Sequence, residues 1–187
     1  MGSKHGVAKS ATLIPVKFTT EVGDFLNALT LIIDDINENS GRADKSVVVC
    51  SLGYGEKLDE DDMRGLAIVI DMFKTPLEDL FALGVPFVAS AGNEATTRGR
   101  ENIDSLPKLF EDSETPIINV GGANYDGSRY PSSQAGSHLT LYAPGHSVEV
   151  QSKEDGKTET DDGTSMGKFI STTHSLFENM KILTEKI

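Results

Sequence analysis

The apolar positions of the chain switch between helical spacing and short continuous runs. From residue 21 to residue 36 they recur every three or four residues, which predicts an amphipathic helix. Three later runs are apolar and rich in β-branched residues, which is typical of strands that are covered on both faces. These predicted strands are residues 46–52, 86–91 and 116–120. Residues 139–143 and residues 11–18 are predicted to form further strands, the latter at a sheet edge because it contains Pro15.

Two helices are predicted between the first two continuous runs. The acidic residues 59–62 precede an amphipathic stretch that reaches Phe73, and acids at a helix start complement the helix dipole. Nothing in that acidic run fixes a ligand geometry, so we predict no metal site there. Residues 75–78, Thr-Pro-Leu-Glu, form a capping box with proline at the first helical position. They predict a second, short helix that Gly84 ends.

This order of strands and helices predicts an α/β domain with a mostly parallel sheet flanked by helices. We expect the three continuous runs to be neighbouring parallel strands of one sheet. The polar stretches 94–115 and 151–162 are predicted to be long surface loops, and helical spacing from Met166 to Ile187 predicts a final helix. A length of 187 residues favours one domain.

Charge and composition narrow the classes of partner. The net charge is −12, with 17 basic and 29 acidic residues and no basic cluster, which argues against nucleic acid or an anionic membrane surface as a partner. No apolar run is long enough to span a bilayer, and residues 1–9 contain no apolar export signal. The single cysteine, Cys50, lies in an apolar run, which indicates a buried thiol.

Two polar segments occur where a parallel sheet places its sites, beyond the carboxyl ends of the strands. Asn93 follows the strand at 86–91, and Ser165 stands at the start of the last predicted helix. The Asn93 amide and the free N–H at a helix start would together form an oxyanion hole. Each residue also has a simpler interpretation, because asparagine after glycine is common in turns and serine is a common helix cap.

Six segments in chain order resemble the subtilisin-like serine proteases (subtilases). They are GVAKSATLIPVKF, SLGYG, ASAGNE, INVGGA, LYAPG and DGTSM, and they extend from Gly6 to about Met166. The resemblance implies a three-layer α/β/α fold. It also implies peptide-bond hydrolysis of an extended polypeptide substrate, and it requires no cofactor. Some family members bind calcium, but the sequence here does not support a calcium site. Members of the family are mostly secreted.

The resemblance also implies a role for individual residues. Ser165 matches the nucleophile, and Asn93 matches the amide of the oxyanion hole. The substrate-pairing strand corresponds to Ser51, Leu52 and Gly53. Ala91 and Gly92 match one wall of the primary specificity pocket, and the floor of that pocket is expected within residues 94–115.

The sequence departs from the family pattern at both ends. The catalytic aspartate and histidine of the family precede the GVA segment, and Met1 lies only five residues before Gly6, so neither motif is present. After Ser165 the family continues Ala-x-Pro-His-Val-Ala-Gly, whereas here the sequence is GKFISTTHSL. We therefore expect residues 1–187 to be one partial domain, incomplete at both ends, with an exposed sheet edge that promotes association.

No histidine is placed by a motif to serve Ser165 as a base. His5 and His146 are predicted on surface turns, His138 at the start of a strand, and His174 more than two helical turns beyond the serine. The chain as given is thus predicted to be an inactive endopeptidase domain. The alternative is a non-catalytic remnant or pseudoenzyme that at most binds extended peptide. A nucleotide-binding α/β domain is disfavoured, since neither a G-x-G-x-x-G nor a P-loop pattern occurs.

Overall fold

The computed structural model describes residues 8, 10–39, 41–54, 63–152, 154 and 156–168, and for residues 63–69 it describes the backbone only. The acidic run at 59–62 and the predicted helix beyond residue 168 lie outside the described residues. The regular elements, in chain order, are α1 Val22–Glu38, a 3₁₀ turn Ala43–Lys45, β1 Val48–Cys50, α2 Met63–Ala82, β2 Phe87–Ser90, a 3₁₀ turn Lys108–Phe110, β3 Ile118–Ala123, β4 Leu141–Pro144, β5 Val148–Gln151 and β6 Thr158–Asp161. Residues 164–168 begin a further helix.

Strands β1 to β4 form one parallel sheet in the order β1-β2-β3-β4. Val49 pairs with Val88, and Ala89 pairs with Asn119. This confirms that the three continuous apolar runs are neighbouring parallel strands, and it confirms the strand predicted at 139–143, which forms β4 at the edge. Because all four strands run the same way, their carboxyl ends lie along one edge of the sheet.

The main hydrophobic core lies between the sheet and the helix pair α1 and α2. Phe25 and Leu29 of α1 are buried against Phe73 of α2, and the rings of Phe25 and Phe73 lie 5.6 Å apart. From the sheet, Phe87 and Ala89 of β2 join this cluster. Alternate residues of a strand point to opposite faces. Accordingly, Val88 belongs to a second, smaller cluster on the other face. The α/β class predicted from the sequence is thus observed.

The two helices predicted between β1 and β2 are instead one continuous helix, α2, with Pro76 inside it. Phe73, Leu77 and Leu80 are fully buried on both sides of Pro76. A continuous helix keeps these three side chains on one face, and their packing offsets the backbone hydrogen bond that proline removes. The predicted end is correct, because Gly84 adopts a φ of 76° and its N–H bonds to the Phe81 carbonyl.

The helix that starts at residue 164 lies directly on the sheet. A Cβ placed on Gly167 would come within 2.9 Å of the Ala143 carbonyl oxygen and 3.0 Å of that of Gly121. Only a residue without a side chain permits so close an approach to β3 and β4. This contact holds the preceding residues, 163–165, at the carboxyl edge of the sheet.

Two predictions about irregular segments are wrong. Residues 11–18 form no strand, and Leu13 and Ile14 are exposed at 61% and 59%. An apolar composition does not make a strand where no described neighbour pairs with the segment. Residues 151–162 are not simply a loop, because β6 pairs antiparallel with β5. All four residues of β6 are exposed, so no alternation of apolar and polar positions marks this strand.

Candidate active site

Two turns meet at the carboxyl edge of the sheet. One contains Gly92 and Asn93, directly after β2, and the other contains Gly163 and Thr164, at the start of the helix at 164–168. The Thr164 N–H donates to Asn93 Oδ1 at 2.9 Å, and the Thr164 hydroxyl donates to the same oxygen at 3.1 Å. That hydroxyl also accepts the Gly92 N–H at 3.2 Å. These bonds confirm that Asn93 and the start of the Ser165 helix converge.

The bonds to Thr164 fix the orientation of the Asn93 amide. Since Oδ1 accepts two donors from Thr164, the Nδ2 group is directed away from the threonine, and Asn93 itself is exposed. Ser165 follows Thr164 and is half-buried. The crevice where the two turns meet therefore contains the Asn93 amide and, beside the fully buried Thr164, Ser165.

The second turn is held in place by the segment after β4. The Gly163 N–H donates to the Gly145 carbonyl at 2.7 Å, and the Ser147 N–H donates to the Asp162 carboxylate at 2.5 Å. The APG and DGTS segments are therefore packed as one unit against the edge of the sheet. The two segments are separated in the sequence, but their backbones are in direct contact.

A cavity of about 230 Å³ lies beside this crevice. Of the residues predicted to bind substrate, Ser51, Gly53 and Gly92 line it together with Asn93. Leu52 is exposed but does not line the cavity.

Ala91 is fully buried behind the wall, and its N–H bonds to the Val120 carbonyl at 2.8 Å. It therefore does not line the cavity either. Of the five residues predicted to bind substrate, three therefore line the cavity, and two, Leu52 and Ala91, do not.

Residues 94–108 form another side of the cavity. These residues are irregular, as predicted, but they are not merely a surface loop, since Ile103, Ser105, Leu106 and Lys108 are buried. Gln134, also fully buried, donates from Nε2 to the carbonyls of residues 100 and 102, and its N–H bonds to the Gly92 carbonyl. The polar side chains of this stretch predict a solvated loop, because the sequence does not reveal the internal hydrogen bonds that bury it.

Gly92 can occupy its position only as glycine. Its φ is 116°, and a Cβ there would lie 1.9 Å from Gln134 Oε1. A side chain at residue 92 would thus displace the glutamine that orders residues 100–102. The Gly-Asn pair is therefore required both by the turn and by the packing behind it.

Two buried lysines at the site were missed by the sequence analysis. Lys108 is 3% exposed, and its Nζ donates to Ser105 Oγ at 3.1 Å. Lys168 is 2% exposed, and its Nζ donates to Ser51 Oγ across 117 residues of sequence. Lysine is almost never this buried. No local pattern identifies either residue, because each is buried by a partner that is distant in sequence or hidden in an irregular segment.

Burial changes the ionisation of both lysines. Desolvation lowers the pKa of Lys168 to about 8, with the neighbouring Lys108 charge as a lesser contribution in the same direction. Desolvation also lowers the pKa of Lys108, although the acidic groups Glu94 and Asp104 act in the opposite direction. The charges of both lysines also act on the buried thiol of Cys50, whose pKa is raised by desolvation. The expected buried thiol is thus confirmed.

Neither histidine that the structure describes is hydrogen-bonded to Ser165. His138 lies in a turn before β4 rather than at the start of a strand, with Nδ1 3.3 Å from the Glu111 carbonyl oxygen. His146 is half-buried rather than on the surface. Its ring lies edge-on to Tyr130, with 5.2 Å between centroids.

His5 and His174 lie outside the described residues. Within the described part of the chain, the crevice therefore has a serine and a side-chain amide but no histidine hydrogen-bonded to the serine. A search of the same residues finds no group of side chains suited to holding a metal ion. It also finds no helix with the length and apolar character needed to cross a membrane.

Comparison with known proteins agrees with the motifs that meet at this site. Residues 1–168 match the model of the subtilase family. The chain is 28% identical over 172 residues to alkaline protease 1 of Aspergillus flavus, covering 88% of the chain and 37% of that protein. It is 27% identical over 169 residues to subtilisin DY of Bacillus licheniformis, covering 88% of the chain and 59% of that protein. The chain thus spans between about one third and three fifths of the length of these relatives.

A solved structure has the same fold. The crystal structure of a cold-adapted subtilisin-like serine proteinase superposes with a TM-score of 0.67 at 23% identity, covering 94% of this chain and 56% of that one. The four parallel strands with their helices are therefore the subtilisin-like α/β arrangement that the motifs imply. With a family model matched over most of its length, the chain belongs to the subtilase family.

Proposed function

We propose that this chain carries the nucleophile, the oxyanion hole and a substrate-binding cavity of a subtilisin-like serine endopeptidase. The observation that carries the proposal is the 2.9 Å bond from the Thr164 N–H to Asn93 Oδ1, which joins the two turns that the chemistry requires. Ser165 is the proposed nucleophile. The Asn93 Nδ2–H group and the Ser165 N–H are the proposed donors to the oxyanion.

In the proposed reaction, Ser165 Oγ attacks the carbonyl carbon of a peptide bond and forms a tetrahedral intermediate. A base takes the hydroxyl proton and returns it to the leaving amine, and water then hydrolyses the acyl-enzyme. In this family the base is a histidine. No described residue is hydrogen-bonded to Ser165 in that role, so we propose that residues 1–187 alone bind peptide but hydrolyse it only at background rate.

An extended polypeptide is the proposed ligand. Ser51 and Gly53 border the cavity on the segment after β1, and residues 51–53 are exposed and belong to no strand pair. Exposed extended backbone of this kind offers N–H and C=O groups to an added strand, while a neighbouring cavity takes a side chain. A second function, peptide binding without catalysis, is favoured by the missing base and uses the same surface.

Chemical-shift mapping tests where peptide binds. An N-acetylated, C-amidated alanine-rich hexapeptide is titrated into ¹⁵N-labelled residues 1–187. We expect the backbone amides of residues 51–53, 92–93, 105–106 and 108 to shift with one saturation curve. Leu52→Pro, which removes a backbone donor, should weaken binding severalfold, whereas Leu52→Ala should not.

Shifts confined to another surface would overturn the proposal. The clearest alternative is the cavity bordered by Phe18, Asp24 and Leu31. Equal binding by the Leu52→Pro and Leu52→Ala variants would likewise contradict strand addition at residues 51–53.

A further inference from the structure

The cavity beside the crevice contains a buried ammonium group that has no ion-pair partner among the described residues. Lys108 Nζ donates to Ser105 Oγ, and a Cβ on Gly53 would lie only 2.8 Å from the same nitrogen. The ammonium therefore lies against the segment proposed to pair with substrate. It has three donors, of which Ser105 accepts one. A charge in such a position is costly to bury unless a ligand or solvent completes its hydrogen bonds.

The other charged groups that line the cavity are already engaged. Arg100 Nε donates to the Asp104 carboxylate at 2.6 Å, so these two charges offset one another. Glu94 accepts the Asn93 N–H at 2.8 Å, which holds its carboxylate by the other wall. The cavity is thus polar, with one cationic side formed by Lys108 and one anionic group at Glu94.

We propose that this cavity selects peptides with an acidic side chain, whose carboxylate accepts hydrogen bonds from Lys108 Nζ and Ser105 Oγ. The proposal rests on the proposed function, because it assumes that an extended peptide lies along residues 51–53. A volume of about 230 Å³ accommodates a glutamate side chain. A substrate carboxylate would supply the partner that no described residue gives to Lys108.

A charge-assisted hydrogen bond is roughly twice as strong as a neutral one, and about 1.4 kcal/mol corresponds to tenfold in affinity. The lysine side of the cavity should therefore discriminate glutamate from its neutral isostere, glutamine. The carboxylate of Glu94 repels an anionic side chain, so Glu94 should weaken the preference for glutamate over glutamine. Burial lowers the pKa of Lys108, and an acidic ligand would favour its protonated form.

The test uses residues 1–187 and three dye-labelled hexapeptides that differ at one position, Glu, Gln or Lys, with binding followed by fluorescence anisotropy. We expect the Glu peptide to bind about tenfold more tightly than the Gln peptide. The Lys peptide should bind no better than Gln. In Lys108→Met the Glu and Gln peptides should bind equally.

Glu94→Gln provides a second variant that leaves Lys108 in place. It should raise the ratio of Glu to Gln affinity above that of the native chain. Equal affinities for Glu and Gln in the native chain, or a preference that persists in Lys108→Met, would overturn the proposal. Failure of all three peptides to bind any variant would instead overturn the proposed function, so the two failures are distinguishable.

Discussion

The two halves of the site differ in charge, because one is built from neutral groups and the other contains buried lysines. The crevice at Asn93 and Thr164 is built from neutral groups, and the three hydrogen bonds that join its two turns are 3.2 Å or shorter. The neighbouring cavity contains Lys108, and Lys168 is buried behind Ser51, so this half places positive charges where water is largely excluded. The hydrogen bonds of the crevice are therefore expected to stabilise the fold. The buried lysines are expected to reduce stability, but each places a positive charge at a fixed position.

The difference indicates what each half is suited to do. Neutral, preoriented donors suit a charge that develops only during a reaction, because they require no reorganisation when that charge appears. A buried ammonium suits a charge that the ligand already carries. The crevice is thus suited to a developing oxyanion and the cavity to a substrate carboxylate.

The largest predicted difference between the charged half and the neutral half is the pH dependence of folding stability that Lys168 confers. Its folded pKa is about 8, below the ordinary value of 10.5, so between these pH values the unfolded chain binds more protons at this site. Stability therefore rises with pH across that window. Relative to Lys168→Met, the native chain should gain roughly 3 kcal/mol in unfolding free energy between pH 7 and pH 10.5.

Urea unfolding of both proteins at pH 7 and pH 10.5 measures this difference. Lys157→Met, at a lysine whose side chain is 68% exposed, is the matched control for removing a solvated charge. A pH dependence of the native chain identical to that of Lys168→Met would show that Lys168 is not ionised differently in the folded state. The charged half would then not differ from the neutral half in the way that its stability depends on pH.

The neutral half is tested by Thr164→Val, which keeps the shape of the side chain but removes its hydroxyl. The Gly92 N–H then loses its acceptor, and Asn93 Oδ1 loses one of its two donors. Leaving the buried Gly92 N–H unsatisfied, together with losing one hydrogen bond to Asn93, should cost about 2 kcal/mol. Unfolding free energies at pH 7 provide the measurement.

Thr164→Ser is the control, because it keeps the hydroxyl and loses only a methyl group. It should be at least about 1 kcal/mol more stable than Thr164→Val, since both hydrogen bonds of the hydroxyl remain. Equal stabilities would mean that the hydroxyl network does not support the crevice.

The neutral half could be predicted from the sequence, whereas the charged half could not. Asn93 and Ser165 stand in glycine-containing turns immediately beside regular elements, and parallel strands bring such turns to one edge. The continuous apolar runs likewise predicted the sheet order correctly. Lys108 lies in a polar stretch with no periodicity, and Lys168 is buried by Ser51 far away in the sequence. Only the assembled fold reveals that either lysine is buried.

The errors in secondary structure have the same origin. The segment at 11–18 has strand composition but no described partner to pair with, and β6 has a partner but no apolar pattern. At Pro76 the local capping signal predicts a helix start, yet the buried stripe through Phe73 and Leu77 keeps α2 continuous. In each case the presence or absence of tertiary packing or strand pairing determined the structure, and neither leaves a local signal.

The central claim is that, among the described residues, the crevice presents a serine and oriented donors without a base. Fluorophosphonate labelling of Ser165 tests this claim most directly. Residues 1–187 and the Ser165→Ala variant are incubated with the probe at neutral pH, with an active subtilisin as the positive control. An unassisted hydroxyl is a poor nucleophile, and acid–base assistance contributes about 10²- to 10⁴-fold. We predict no labelling above that of Ser165→Ala. Labelling of the native chain that disappears in Ser165→Ala would contradict the claim and show that another group serves as the base.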